Sequence, residues 1–434
     1  MLLTRAALDD DCQAFEKIIL TGKTDPAAGD NYSKNYRFIQ KFINEKAESN
    51  PKEFRSFIGN LRRKTCFLTV TTENRALALR VFNTLNNRGL PLSDADIFKS
   101  DIYGRLGGGE EQKAFIDSWN LLVEKSEVAG IDVQRLFMYL MYYDKACSDD
   151  ASTSVKSVGE YFEDKIRKVD YKELMTTLHR ISDLLVHVSN LNASLREVDD
   201  STSWRWQRDL DVAKALDVLR SYPNEYWRYA VISYLLANEG RETFRQDFVK
   251  FLRKLASLLI VKFMEWPSLM AIKSVVLKLN IASVSSTMPE FKFNPQPLDT
   301  LAERFYQPHS KLVSMLLKYL AYANPEQKEL LPEDWQIEHI LPKKWKGICT
   351  EPEETINLVI ENIGNKLLLN KKLNIKASNN YFGIKKEYYL KSGIADAIDL
   401  GNSISDTWGS SNIKHRDANL FIKFKSEYGK ACEE

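Results

Sequence analysis

The stretch Trp335-Gln-Ile-Glu-His-Ile-Leu-Pro342 decides how this chain reads. It is a short strand-like run closed by a proline. An acid and a histidine, Glu338 and His339, stand side by side in it. Asn365 follows 26 residues after His339, inside Ile363-Gly-Asn-Lys-Leu-Leu-Leu-Asn370, a second strand candidate introduced by a Gly-Asn turn signal. Nine residues further on, Asn374 opens Asn374-Ile-Lys-Ala-Ser-Asn-Asn-Tyr-Phe-Gly-Ile-Lys-Lys386, which reads as a helix. The order is strand with acid and histidine, loop, strand with asparagine, then helix with asparagine, all within 37 residues.

Those residue types suit one chemistry. Phosphodiester hydrolysis needs a water activated near neutral pH, and imidazole is the side chain that titrates there. It also benefits from a hard cation that neutralises the phosphate, for which one carboxylate and one amide oxygen are a sufficient protein contribution. The arrangement resembles the ββα-metal finger of HNH nucleases, in the acid–His–Asn form also found in the HNH domain of CRISPR effector nucleases. That resemblance implies His339 as general base and Asn365 as the brace of the loop that aims it. It implies Glu338 and Asn374 as ligands of one Mg²⁺ or Mn²⁺ ion.

Charge gathers in the same region. Between residues 366 and 391 stand seven lysines (Lys366, Lys371, Lys372, Lys376, Lys385, Lys386 and Lys391) against one acid, Glu387, a local charge of +6. Tyr381, Phe382, Tyr388 and Tyr389 are interleaved with them. One reading is a solvated helix face with its aromatics in the core. The other is contact with nucleic-acid phosphates, which gives affinity without base information. On the second reading Lys366, Lys371, Lys372, Lys376, Lys385, Lys386 and Arg416 are the contact residues, with Lys385 foremost. The other histidines, His179, His187, His309 and His415, lack comparable company and read as structural or surface residues.

The whole chain hides this patch. Its 434 residues carry 61 Lys+Arg against 59 Asp+Glu, a net charge of +2. With 21 Phe, 19 Tyr and 8 Trp, there is apolar area for several cores, so intrinsic disorder is excluded. The most apolar run, Leu255–Val261, is bounded by Lys254 and Lys262 and at seven residues falls far short of the roughly 20 that span a bilayer. Five cysteines, none spaced as C-x-x-C, argue against a disulfide framework and for a cytoplasmic location.

Most of the remainder predicts helix. Phe38 and Phe42 start one stripe, and Phe54, Phe57, Ile58 and Leu61 repeat it over 50–64. Cys66–Thr72 is a strand candidate, and 74–87 returns to helix, ending at Arg88-Gly89. Ser93 and Asp96 carry capping-box chemistry. The segment 244–264 predicts the strongest amphipathic helix, with Phe248, Phe251, Leu252, Leu255, Leu258 and Leu259 on one face. Gly107-Gly108-Gly109 and the proline-containing stretch 288–297 suggest boundaries. The expected fold is mainly α: a helical body with a C-terminal α+β domain containing the ββα-metal (HNH) finger. The expected domains are 1–106, 107–290 and 291–434.

Two regions together resemble the GmrSD-type modification-dependent restriction endonucleases. The last third looks like their HNH-type domain, through the motif above, Phe382-x-x-Lys385, and Trp408 followed by Ile413 and Arg416. Upstream, Val81–Lys99, with the pattern Phe, Leu-Asn, Arg-Gly, Leu, Asp, Lys, resembles a signature of the accompanying GmrS-like domain. The resemblance implies an endonuclease that cleaves foreign, commonly modified phage, double-stranded DNA. The family's ParB-like string Asp-Gly-Gln-Gln-Arg has no counterpart, nor has a P-loop. A separate nucleotide-binding subunit or a missing N-terminal part is therefore expected, and nucleotide use by this chain is doubtful. A catalytically idle DNA- or partner-binding subunit is the alternative, and the residues do not separate DNA from RNA.

Overall fold

The computed structural model describes residues 9–66, 93–152, 157–190, 205–268 and 270–433. The strand candidate from residue 67 on, the helix predicted over 74–87 and the Val81–Leu92 part of the upstream signature lie outside them. The chain divides into two compact units, residues 1–92 with 105–117, and residues 93–104 with 118–434.

The first unit contains α1 (Asp9–Thr21), α2 (Asn31–Ser49) and α3 (Pro51–Lys64). Asp30 caps α2 by accepting from the Ser33 amide at 2.7 Å. Asn50 does the same for α3, through the Glu53 amide, and Pro51 follows it where no helical N–H is needed.

The second unit is also mainly helical. It opens with α4 (Asp94–Arg105), where the Ser93 and Asp96 side chains accept from each other's amides in a reciprocal box. Gly108 and Gly109, in the 105–117 stretch that belongs to the first unit, take positive φ before α5 (Glu110–Val128), which enters the second unit at Ser118. Next come α6 (Val133–Cys147), α7 (Tyr171–Ser189), α8 (Leu210–Arg220), α9 (Tyr226–Asn238), α10 (Phe244–Glu265) and α11 (Lys273–Ser285). The predicted apolar stripe on α10 is only half the finding. From Leu255 to Val261 every residue is buried, so this turn is enclosed on all sides. Among the described residues no helix is long and apolar enough to cross a membrane.

The last part of the unit positions the site. After α12 (Ser310–Tyr322) come β1 (Trp335–His339) and β2 (Lys366–Asn370), paired antiparallel with Glu338 opposite Leu367 and His339 opposite Lys366. Then follow α13 (Lys371–Ala377), α14 (Phe382–Tyr389), α15 (Ala395–Gly401) and α16 (Ser410–Glu433). Leu367, Leu368 and Leu369 are all buried because helices cover both faces of this small sheet. The C-terminal α16 also packs on α10 and α12, tying this part to the helical body.

Two local expectations are corrected. The second strand starts at Lys366, since Ile363–Asn365 form a 3₁₀ turn. Gly364 has no room for a side chain there: a Cβ would collide with the Ile413 carbonyl oxygen. The single helix expected over 374–386 is two helices. Ser378 breaks it at φ +44°, and the Asn380 side chain takes up the Ala377 carbonyl at 3.0 Å.

Candidate active site

Side chains alternate across a strand, so Glu338 and His339 point to opposite faces of the sheet. Trp335, Ile337 and His339 face α12, where the Lys318 ammonium sits over the Trp335 ring. Gln336 and Glu338 face α13 and α14.

On the first face, His339 opens on a cavity of about 390 Å³ lined by Gln307, Pro308, Ser310, Val313, Ile337, Glu361 and Lys366. Its side chain is 18% exposed. Nε2 lies 3.4 Å from Glu361 Oε2. Burial lowers the imidazole pKa, Glu361 opposes that shift, and Lys366 and Lys343 add to it. The net effect favours the neutral ring that can accept a proton. Glu361 is also paired with Lys343 at 2.6 Å and Lys366 at 2.8 Å. Burial alone would raise its pKa, but bonds from the two lysines prevail and bring it down to about 2.

On the second face, Glu338 is closed in. Its Oε1 accepts from Lys385 Nζ at 2.6 Å and from the Tyr389 hydroxyl at 3.1 Å. Lys385 is wholly buried and also donates to the main-chain oxygen of His339 at 2.7 Å. Burial raises the Glu338 pKa and lowers that of Lys385, and their mutual attraction opposes both shifts. Asn374, on α13, donates to Gln336 Oε1 at 3.1 Å.

Asn365 lies beneath the turn that follows His339. Its Oδ1 accepts from the Leu341 amide at 2.8 Å, and its Nδ2 donates to the Leu341 and Ile360 carbonyls at 3.0 and 2.9 Å. Asp417 holds the next loop, accepting from Asn362 Nδ2 and the Gly364 amide at 2.6 Å each. Behind these turns, Ile413 packs with Leu341, Trp345, Ile356 and Val359, and Trp408 lies against the cluster.

The lysine-rich segment divides. Lys371, Lys372 and Lys376 on α13 are exposed. Lys385 is corrected: its ammonium serves Glu338, so no surface of it meets a phosphate. Arg416 is corrected likewise, since its guanidinium donates to the Ile363, Gly364 and Lys366 carbonyls. Lys386 is bound to Asp406 and the Ser403 and Ser405 carbonyls. Lys366 is nearly buried and faces the His339 cavity.

The predicted metal ligands do not form one donor set with the predicted base. Glu338 is already neutralised by an ammonium, and both it and Asn374 lie on the face away from His339. Among the described residues no group of three or more His, Cys, Asp or Glu is disposed to hold a metal ion. As arranged, these residues do not fit a Mg²⁺ or Mn²⁺ ion.

Glu361, Lys343 and Tyr389 were not legible as site residues. Only Lys343 carried a signal, being the first residue after Pro342, which closes the acid–histidine strand. The other histidines have structural company: His179 meets the Ser118 hydroxyl at 3.0 Å, His309 caps α12, His187 lies edge-on to Trp206, and His415 meets Asn419.

No curated protein matches the chain. Residues 298–422, which carry the sheet, both of its faces and most of α16, match the family model described as GmrSD restriction endonucleases, C-terminal domain, and this supports a GmrSD-type nuclease module in that part of the chain.

Proposed function

We propose that the C-terminal module hydrolyses phosphodiester bonds of double-stranded DNA, with His339 as the general base. The observation that carries the reading is a single one: a neutral-leaning imidazole in an open cavity, inside the segment that matches a restriction-endonuclease domain. Nε2 faces the cavity and would take the proton of the attacking water. Asn365 holds the turn after His339 and so keeps the ring aimed. The exposed Lys371, Lys372 and Lys376 would meet the DNA backbone. Foreign, modified DNA is the proposed target, in a defence role.

The Glu338–Lys385 pair favours a second reading, a catalytically idle subunit that keeps the motif for its fold. One assay separates the two. The full chain is incubated with modified and unmodified phage DNA in Mg²⁺, Mn²⁺ or EDTA, with and without nucleotide, and the ends are analysed. New termini that depend on the protein support the nuclease. Intact DNA under every condition, with DNA binding retained, supports the idle subunit.

A further inference from the structure

Three nitrogen groups on the His339 face converge on one carboxylate. Lys343 Nζ lies 2.6 Å from Glu361 Oε1, Lys366 Nζ lies 2.8 Å from Oε2, and His339 Nε2 approaches Oε2 at 3.4 Å. This is the geometry of an oxyanion receptor, and the anion it holds belongs to the protein.

The parts differ in freedom. Lys366 is 7% exposed and is fixed by a second bond, from Nζ to the Glu361 main-chain oxygen at 2.5 Å. The Glu361 side chain is 52% exposed. It projects from the segment between the short helix Glu353–Asn357 and the 3₁₀ turn Ile363–Asn365, with solvent beside it. The cationic wall therefore stays, while the carboxylate can swing away. A purely orienting acid would be expected to hold the imidazole by a short charge-assisted bond, and 3.4 Å is long for one. The two ammonium groups make the shorter contacts.

We propose that Glu361 is a built-in placeholder for a phosphate group, and that Lys343 and Lys366 form with His339 the seat of the phosphate to be cleaved. The inference rests on the nuclease reading above and names the substrate group that this cavity takes. When a phosphodiester enters, Glu361 swings into solvent, and the non-bridging oxygens take up the two ammonium groups. That places the phosphate on the side of the ring where Nε2 meets the cavity. The Lys343–Glu361 pair is exposed on both sides and therefore weak, so a phosphate with its shorter, stronger bonds can displace the carboxylate and take over Lys366 as well. The placeholder keeps a nearly buried lysine paired while no substrate is bound.

The test uses the full chain in EDTA with inorganic phosphate as the probe, followed by calorimetry and by the His339 imidazole resonances. Glu361→Gln keeps the shape and removes the charge. It should bind phosphate about three- to tenfold more tightly than the wild type, the range expected from releasing the exposed Lys343 and the nearly buried Lys366 from their carboxylate partner. Glu353→Gln, an equal charge change at the Lys346–Glu353 pair, should show no such gain. Adding Lys343→Ala to Glu361→Gln should abolish the gain, and Lys343 is 62% exposed, so the fold tolerates its loss. Equal or weaker binding by Glu361→Gln overturns the proposal. So does a gain that survives Lys343→Ala or is matched by Glu353→Gln, which would mean an adventitious ion only. Because binding is read without cleavage, these results stand apart from the nuclease reading. A chain that shows the gain yet cuts no DNA contradicts that reading and leaves the phosphate seat in place.

Discussion

Lys385 grips β1 at two points: its ammonium lies 2.6 Å from Glu338 Oε1 and 2.7 Å from the main-chain oxygen of His339. One buried cation thus fixes an acid and the backbone of the candidate base together. Glu338, expected as a metal ligand, is a structural anchor, and the alternation of the strand turns it to the face opposite His339, the proposed base.

Breaking this pair should be costly. Lys385→Met or Glu338→Gln leaves an unpaired buried group and should lower unfolding free energy by about 3–5 kcal/mol. The double variant should lose less than the sum of the two, because the uncompensated charge is gone. Urea unfolding of the four proteins measures this. Strict additivity would show that the pair is not coupled.

Asn365→Ala removes three hydrogen bonds to the backbone around His339. It should cost about 1–3 kcal/mol of stability for the buried groups left unpaired. It should also lower kcat more than it raises KM, since the turn that aims the ring is loosened while the proposed DNA-contacting lysines on α13 remain. An unchanged kcat would remove Asn365 from the positioning of His339.

Two pH effects follow from the same face. Burial lowers the His339 pKa below 6.5, so the acid limb of the cleavage rate should fall below that pH. Glu361, lowered from 4.5 to about 2, releases its proton more readily folded than unfolded. Its contribution to stability is therefore complete above pH 4.5 and is lost as pH falls toward 2. Lys343→Ala should raise the Glu361 titration, read by carboxyl NMR, toward 4.5.

Charge reversal at Lys371, Lys372 and Lys376 should flatten the salt dependence of DNA binding, by roughly one unit of slope for each phosphate no longer neutralised. The same change at exposed Lys113, on α5, should leave the slope alone. Equal slopes in all variants would make α13 a merely solvated face.

The helical class was legible because the apolar periodicities are strong, as on α10 and α3. Both strands were legible from Ile337 and Leu367–Leu369 with their bounding turns. Asn365 stood out through its Gly-Asn turn. Lys385 was misread, because a lysine count carries no information on which ammonium turns inward to a buried acid. Arg416 was misread for the same reason, as its partners are backbone carbonyls 50 or more residues earlier. Glu361 gave no signal, because its role depends on tertiary convergence with Lys343 and Lys366 and on no spacing rule.

The most direct test of the central claim is single-turnover cleavage of duplex DNA by the wild type and His339→Ala, with unfolding and DNA binding measured on both. The account predicts that the variant folds and binds DNA as the wild type does and loses cleavage by a factor of at least about 10², the usual worth of a general base. Cleavage by His339→Ala at the wild-type rate would contradict it.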